Sequence, residues 1–202
     1  MPLGLLRRLQ TAFPQVEFVQ RFGTSETGSL PVRDLGYGLE LRENQAGFEW
    51  KIVDDELWVK SPARALGYLS GKSEAFLQDG WYCTGDLAER LPHGAVRVLG
   101  RKKELINVGG EKVAPSEVEG ALLAHPLVAD CRVVPDANAV LGQVVAAEVV
   151  WLGVDRNPIQ VKRILREFAA PTLAMHKLPT VVRLVEAVDS TRNFKKARTA
   201  KA

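Results

Sequence analysis

Residues 79–119 read "DGWYCTGDLAERLPHGAVRVLGRKKELINVGGEKVAPSEVE" and pack "TGD", "GRKKE" and "VGGEK" into one run. Polar clusters bracketed by glycine are poor material for a helix or a strand interior, so all three read as loop chemistry. Working outward, the pattern differs on the two sides. On the N-terminal side, "FEWKIV" (48–53) alternates Phe48, Trp50 and Ile52 with Glu49 and Lys51, the period of a half-buried strand. Asp54–Asp55 turns it into "ELWVK", which predicts a hairpin. "VEFVQRF" (16–22) and "AVRVLG" (95–100) read as further strands, and "PLGLLRRLQTAF" (2–13) as a helix.

On the C-terminal side, Pro115 suits a first helical position, with Val118, Ala121 and Leu122 on one face and Pro126 beyond the end. "LVADCRVVP" and "QVVAAEVVW" read as strands joined by "DANAVLG". Asn157 and Pro158 open a second helix whose apolar face is Val161, Ile164, Leu165 and Phe168. "TVVRLVEAV" (180–188) is a further strand. The expectation is therefore a mixed α/β chain with a β-rich unit over 1–101 and an α+β unit over 102–202, and "GRKKE" as the hinge.

Bulk properties narrow the function classes. The 202 residues carry a net charge of +3, too small to argue for nucleic acid. The basic tail "STRNFKKARTAKA" (190–202) is a weak argument for it, since terminal charge runs are usually solvated. No apolar run approaches the ~20 residues of a membrane-spanning helix, and "PLGLLRRLQ" lacks the apolar core of a secretory signal. Cys83 and Cys131 form no CxxC pair, and His93, His125 and His176 are scattered, so no disulfide or zinc framework follows. A reducing cytoplasm is the expected compartment.

Several residues have types suited to chemistry. In "FGTSETG" (22–28), backbone amides and hydroxyls could meet a ligand, and Glu26 could coordinate a hard cation; alternatively it is a solvated turn. Asp86, after Thr84 and Gly85, could accept from vicinal hydroxyls or serve as a turn cap. Arg101 follows a strand within reach of phosphate or hydroxyl oxygens, or is one of a solvated charge run. Gly109–Gly110 makes a turn or lets another group pass close to the backbone.

Taken in order, "FGTSE", "ELWVK…GY" (56–68), "WYCTGD", "GRKKELINVGGEKVAPSEVE" and a lysine in the last dozen residues resemble the adenylate-forming superfamily. That superfamily includes acyl- and aryl-CoA synthetases, luciferases and the adenylation domains of peptide synthetases. The resemblance implies the C-terminal portion of a large AMP-binding domain followed by a mobile lid. It implies a ligase that joins a small carboxylic acid to AMP from ATP with Mg²⁺, then passes the acyl group to CoA or to the phosphopantetheine of a carrier protein.

Residue by residue, the resemblance implies that Gly23 and Ser25 border the nucleotide and that Glu26 is the Mg²⁺ ligand. It implies that Asp86 holds the ribose hydroxyls, Arg101 contacts the nucleotide, Lys103 is the hinge and Gly109 lines the thiol's route. "TRNFKKAR" (191–198) is similar to T-x-x-G-K-x-x-R, which selects Lys195 as the catalytic lysine, with Phe194 where glycine is usual. Only residues 1–21 precede "FGTSE", so the chain resembles the C-terminal two-fifths of such an enzyme and lacks its phosphate loop. A truncated piece, a degenerate gene product and one subunit of a split enzyme stay open. The expectation is that the chain alone is inactive and that apolar strands left uncovered drive oligomerisation. The alternative is a non-catalytic module that docks a carrier protein or regulates a complete ligase.

Overall fold

The computed structural model describes residues 3–18, 22–30, 32–34, 39–41, 47–69, 76, 79–91 and 96–189. The chain divides into two compact units, Gln15–Lys103 and Pro2–Pro14 with Glu104–Ala202. The leading segment therefore joins the C-terminal half rather than the strands that follow it.

The second unit receives α1 (Leu3–Ala12). The first is built from β1 (Phe22–Thr24), β2 (Gly28–Leu30), β3 (Val32–Asp34), β4 (Leu39–Leu41), β5 (Glu49–Val53), β6 (Glu56–Lys60), β7 (Trp81–Arg90) and β8 (Val96–Arg101). Strands β1 and β2 form a hairpin, and the rest an antiparallel sheet in the order β3-β4-β8-β7-β6-β5. Asp54 and Asp55, at φ 49° and 62°, make the tight turn between β5 and β6 in the left-handed geometry that two-residue hairpin loops demand. Phe48, Trp50, Leu57, Val59, Ala88 and Val96 form the core of this unit.

Two expectations need correcting here. Of the strand expected over 16–22, residues 16–18 carry none, Phe22 belongs to β1, and 19–21 lie outside the described residues. "TGD" is no loop: with "WYC" it forms the first part of the ten-residue β7, in which Tyr82, Thr84, Asp86 and Ala88 alternate as buried positions. Cross-strand partners, not local propensity, make it a strand.

The second unit continues with β9 (Ile106–Val108), β10 (Glu111–Val113), α2 (Pro115–Leu122), β11 (Val128–Asn138), β12 (Gly142–Trp151), α3 (Pro158–Ala169) and β13 (Val181–Leu184). Its sheet runs β10-β9-β12-β11, with β13 parallel to β12. Asn157 caps α3 by accepting the Ile159 N–H at 2.9 Å, as its sequence position predicts. Val161 and Leu165 are fully buried as expected, but Phe168 is exposed and Ala169 takes the inward place. The strand expected over 180–188 ends at Leu184. Glu119 of α2 is buried and accepts the Val133 N–H at 2.9 Å, tying that helix to β11. Among the described residues no helix is long and apolar enough to cross a membrane.

Candidate functional site

Asp86 sits in the interior of β7, directly opposite Arg101 of β8. Against β6 the register jumps, from Trp58 opposite Cys83 to Glu56 opposite Leu87, so β7 carries extra residues there. Gly85 takes φ 70° within this bulge, a conformation L side chains rarely adopt. Thr84 locks the bulge: its hydroxyl donates to Leu57 O at 2.9 Å and accepts the Asp86 N–H at 3.1 Å.

The bulge delivers a nearly buried carboxylate to a guanidinium. Arg101 Nε lies 2.8 Å from Asp86 Oδ1, while its Nη1 donates to Thr84 O at 2.9 Å. Arg101, the last residue of β8, keeps 45% of its side chain exposed and Asp86 only 6%, so the pair joins the two central strands with its guanidinium partly in water.

Glu26 occupies the turn between β1 and β2. Gly23 permits that turn to close, because a Cβ there would lie 2.3 Å from Gly28 O. Thr24 Oγ1 accepts the N–H groups of Glu26 and Thr27 at 3.2 and 3.1 Å. Ser25 is exposed at the tip. The 61–69 segment is tied on by Ala65 N–H to Glu26 O at 2.7 Å and by Ser61 Oγ to Thr27 O at 2.9 Å. From that segment Tyr68 Oη donates to Glu26 Oε1 at 2.8 Å.

Burial by itself would raise the Glu26 carboxyl. Hydrogen bonds from Tyr68, its own N–H and Thr24, together with the Arg101 charge, outweigh it and hold Glu26 below the ordinary carboxylate value. The Arg101 charge thus acts on both carboxylates. The Tyr82 phenol is pushed far upward by burial, the Tyr68 hydrogen bond and the nearby Glu26 charge, so it stays protonated.

The structure therefore brings Glu26, Asp86 and Arg101 into one electrostatic neighbourhood, with Gly23 and Ser25 shaping the Glu26 turn. Lys103 is exposed in a single turn of 3₁₀ helix, Lys102–Glu104, where the unit boundary falls. Gly109 belongs to the second unit. It opens the β9–β10 turn at φ 60°, donates to Leu141 O at 3.1 Å, and a Cβ on it would meet Leu141 Cδ2 at 3.0 Å. Lys195 lies outside the described residues.

Sequence reasoning missed the supporting partners. Tyr68 and Tyr82 were available only as "GY" and "WYC", with nothing local to point either at Glu26. Glu56 is likewise unforeseen: it pairs with Lys102 and accepts from Cys83 Sγ at 3.3 Å. The Lys102 ammonium, followed by the opposing effect of burial and by Cys83, leaves Glu56 below its ordinary value.

Among the described residues no three His, Cys, Asp or Glu side chains gather as a metal cage. A lone Glu26 carboxylate nonetheless suits Mg²⁺ arriving with a nucleotide, since that ion takes one or two carboxylates plus phosphate oxygens and water.

Comparison with known proteins places these features in a family. Residues 117–195 match the AMP-binding enzyme C-terminal domain. The 4-coumarate–CoA ligase-like 2 protein of Arabidopsis thaliana is 34% identical over 158 residues, covering 68% of this chain and 28% of its own. A 2-succinylbenzoate–CoA ligase of Listeria innocua is 34% identical over 191 residues, covering 89% of this chain and 39% of its own. The chain thus spans well under half the length of these curated relatives. The o-succinylbenzoate CoA synthetase of Bacillus subtilis, solved with its acyl-adenylate intermediate, superposes with a TM-score of 0.80 at 26% identity over 96% of this chain and 42% of that one. With a strand-rich α/β fold, a matched C-terminal domain and relatives aligned over their C-terminal part, the chain belongs to the adenylate-forming, AMP-binding superfamily.

Proposed function

We propose that the chain supplies the nucleotide-facing edge and the mobile lid of an ATP-dependent acid–thiol ligase. In that reading the Asp86 carboxylate accepts from the ribose hydroxyls and Arg101 reaches nucleotide oxygens from the end of β8. Glu26 would hold the Mg²⁺ that accompanies the phosphates, supplying charge neutralisation there. Gly23 and Ser25 bring backbone close to the nucleotide. Lys103 is the hinge, and Gly109 lines the route of the CoA or phosphopantetheine thiol. Lys195 bridges the substrate carboxylate and the α-phosphate, where losing such a contact typically costs ~2.7–4 kcal/mol of transition-state stabilisation.

The observation that carries this reading is the bulge in β7, which presents a nearly buried Asp86 to the half-exposed Arg101 in the neighbourhood of Glu26. A cross-strand ion pair alone needs no such bulge. The relatives' ligase names and the acyl-adenylate in the B. subtilis neighbour support the same chemistry. Because the chain spans only part of those proteins, adenylation by the chain alone is not expected.

Calorimetric titration with Mg²⁺-ATP and with AMP, beside Asp86→Ala, tests this. Nucleotide binding that the substitution abolishes supports a ribose site at Asp86. Binding that is indifferent to Asp86 would remove the proposed role.

A further inference from the structure

The 61–69 segment contributes one side chain to the Glu26 turn that the proposed function leaves without a role. Tyr68 is 45% exposed, so burial of its ring does not account for its placement. Its ring is instead fixed edge-on to Phe76, centroids 5.3 Å apart at 80°. Phe76 in turn lies 4.8 Å from the Tyr82 ring and bridges to the Tyr82 backbone. The Arg64 guanidinium lies over the Phe76 ring, 5.7 Å from its centroid. The Ala65 N–H bond to Glu26 O and the Ser61 hydroxyl bond to Thr27 O complete the seat.

The hydroxyl end has a fixed direction. A phenol carries a single proton, and Tyr68 spends it on Glu26 Oε1 at 2.8 Å. At the 3.4 Å contact between the two phenolic oxygens, Tyr68 can then only accept, so Tyr82 is the donor. The order is Tyr82 to Tyr68 to Glu26, a chain in which each bond polarises the next. It ends on a carboxylate that also senses the Arg101 charge, while Arg101 itself is bound to Asp86.

We propose that Tyr68 is the positioning residue of the Glu26 carboxylate: its hydroxyl, seated by Phe76 and backed by Tyr82, holds Glu26 Oε1 aimed for a phosphate-bound divalent cation. The proposal rests on the nucleotide reading of this turn given above. It assigns Tyr68 no contact with substrate; the residue acts through Glu26. A bare carboxylate on a two-strand turn would sample many rotamers and lose that freedom each time it bound a cation. Anchoring one oxygen beforehand removes most of this cost.

The test follows the Glu26 side-chain carboxyl signal by carbon-13 NMR through an acid titration of the full chain. Tyr68→Phe retains the ring and its packing on Phe76 and deletes only the donor. The Glu26 titration is expected to move upward towards the ordinary carboxylate value while signals of the second unit stay put. Tyr82→Phe is expected to move it less, because its hydroxyl reaches Glu26 only through Tyr68. Phe76→Leu, which leaves both hydroxyls but loosens the seat, is expected to move it in the same direction as Tyr68→Phe. A Glu26 titration identical in wild type and Tyr68→Phe overturns the proposal.

This titration needs no nucleotide, so it judges Tyr68 independently of the function assigned to the turn. Paramagnetic broadening of the Glu26 signal by Mn²⁺-ATP judges that function. In the wild type the signal is expected to broaden selectively, and Tyr68→Phe to need about tenfold more Mn²⁺-ATP for the same effect. Equal broadening in the two proteins overturns the positioning role, and absence of broadening in the wild type overturns the nucleotide reading on which it rests.

Discussion

At the scale of single residues, protonation states carry much of the structure. His125 is buried, stacks on Trp151 at 5.3 Å and meets Phe168 edge-on at 4.9 Å. Its Nδ1 accepts the Leu127 N–H at 3.2 Å, which only an unprotonated nitrogen can do. Burial holds its folded pKa below the ordinary value. The unfolded chain therefore binds the proton first. The stability this contributes is complete above about pH 6.5 and is lost as pH falls from there towards the folded value. The second unit is expected to melt at lower temperature at pH ~5.5 than at pH ~7.5, and His125→Gln to flatten that dependence in thermal scans. Glu26 and Glu56 have the opposite protonation chemistry but the same sign: both are depressed, so their contribution is present above about pH 4.3 and fades as acid protonates them. Arg101→Met tests the β7–β8 pair. It leaves the nearly buried Asp86 without its guanidinium, but Arg101 is half in water, so the loss in urea titrations is expected to be about 1–3 kcal/mol rather than the larger cost of a fully buried pair.

Elements show what local sequence can and cannot state. Asn157–Pro158 announces α3 because a cap and a first-turn proline act within a few residues, and the structure keeps both. Asn157→Ala is expected to cost about 1 kcal/mol by chemical denaturation. Thr84-Gly85-Asp86 misleads because its decisive partners are Leu57 and Arg101, far along the chain. Hydroxyl, glycine and carboxylate in sequence look like a turn, and the same three residues build a bulge once strands flank them. The candidate residues themselves were visible as motifs, but their bonding was not, since no local pattern aims Tyr68 at Glu26. Glycines divide in the same way. At Gly85 nothing lies within 4 Å of an added Cβ, so Gly85→Ala meets only the strain of φ 70°, about 1–2 kcal/mol. At Gly23 the obstacle is backbone, Gly28 O at 2.3 Å and Ser29 Cα at 2.9 Å, which cannot swing away. Gly23→Ala is expected to open the β1–β2 hairpin and displace amide signals throughout residues 22–30. A variant with those signals unmoved would mean that a Cβ at Gly23 does not meet the Gly28 backbone, and the close approach would be overturned.

For the whole molecule, the change of pattern in the sequence foreshadows two units, while the allegiance of the leading helix was invisible. Its partner is the second unit, where Arg8 donates to Val128 O at 3.1 Å, and no periodicity in residues 2–13 encodes a contact so distant along the chain. Each unit has its own core, and among the described residues that of the second is the larger and includes Leu122, Val133, Val149 and Leu165 packed from both helices and sheet. The first relies on a short set of strand residues around Leu57 and Val59. Buried apolar surface is the main favourable term in folding, so the two units should differ in stability. The chain provides separate reporters. Trp50, Trp58 and Trp81 lie in the first unit and Trp151 in the second, while all three described α-helices belong to the second. In Trp151→Phe, tryptophan fluorescence follows the first unit and far-ultraviolet helical ellipticity the second. Urea is expected to quench the fluorescence transition at a lower midpoint than the ellipticity, breaking two-state behaviour. Coincident midpoints would instead mean that the difference in core size does not separate the stabilities of the two units.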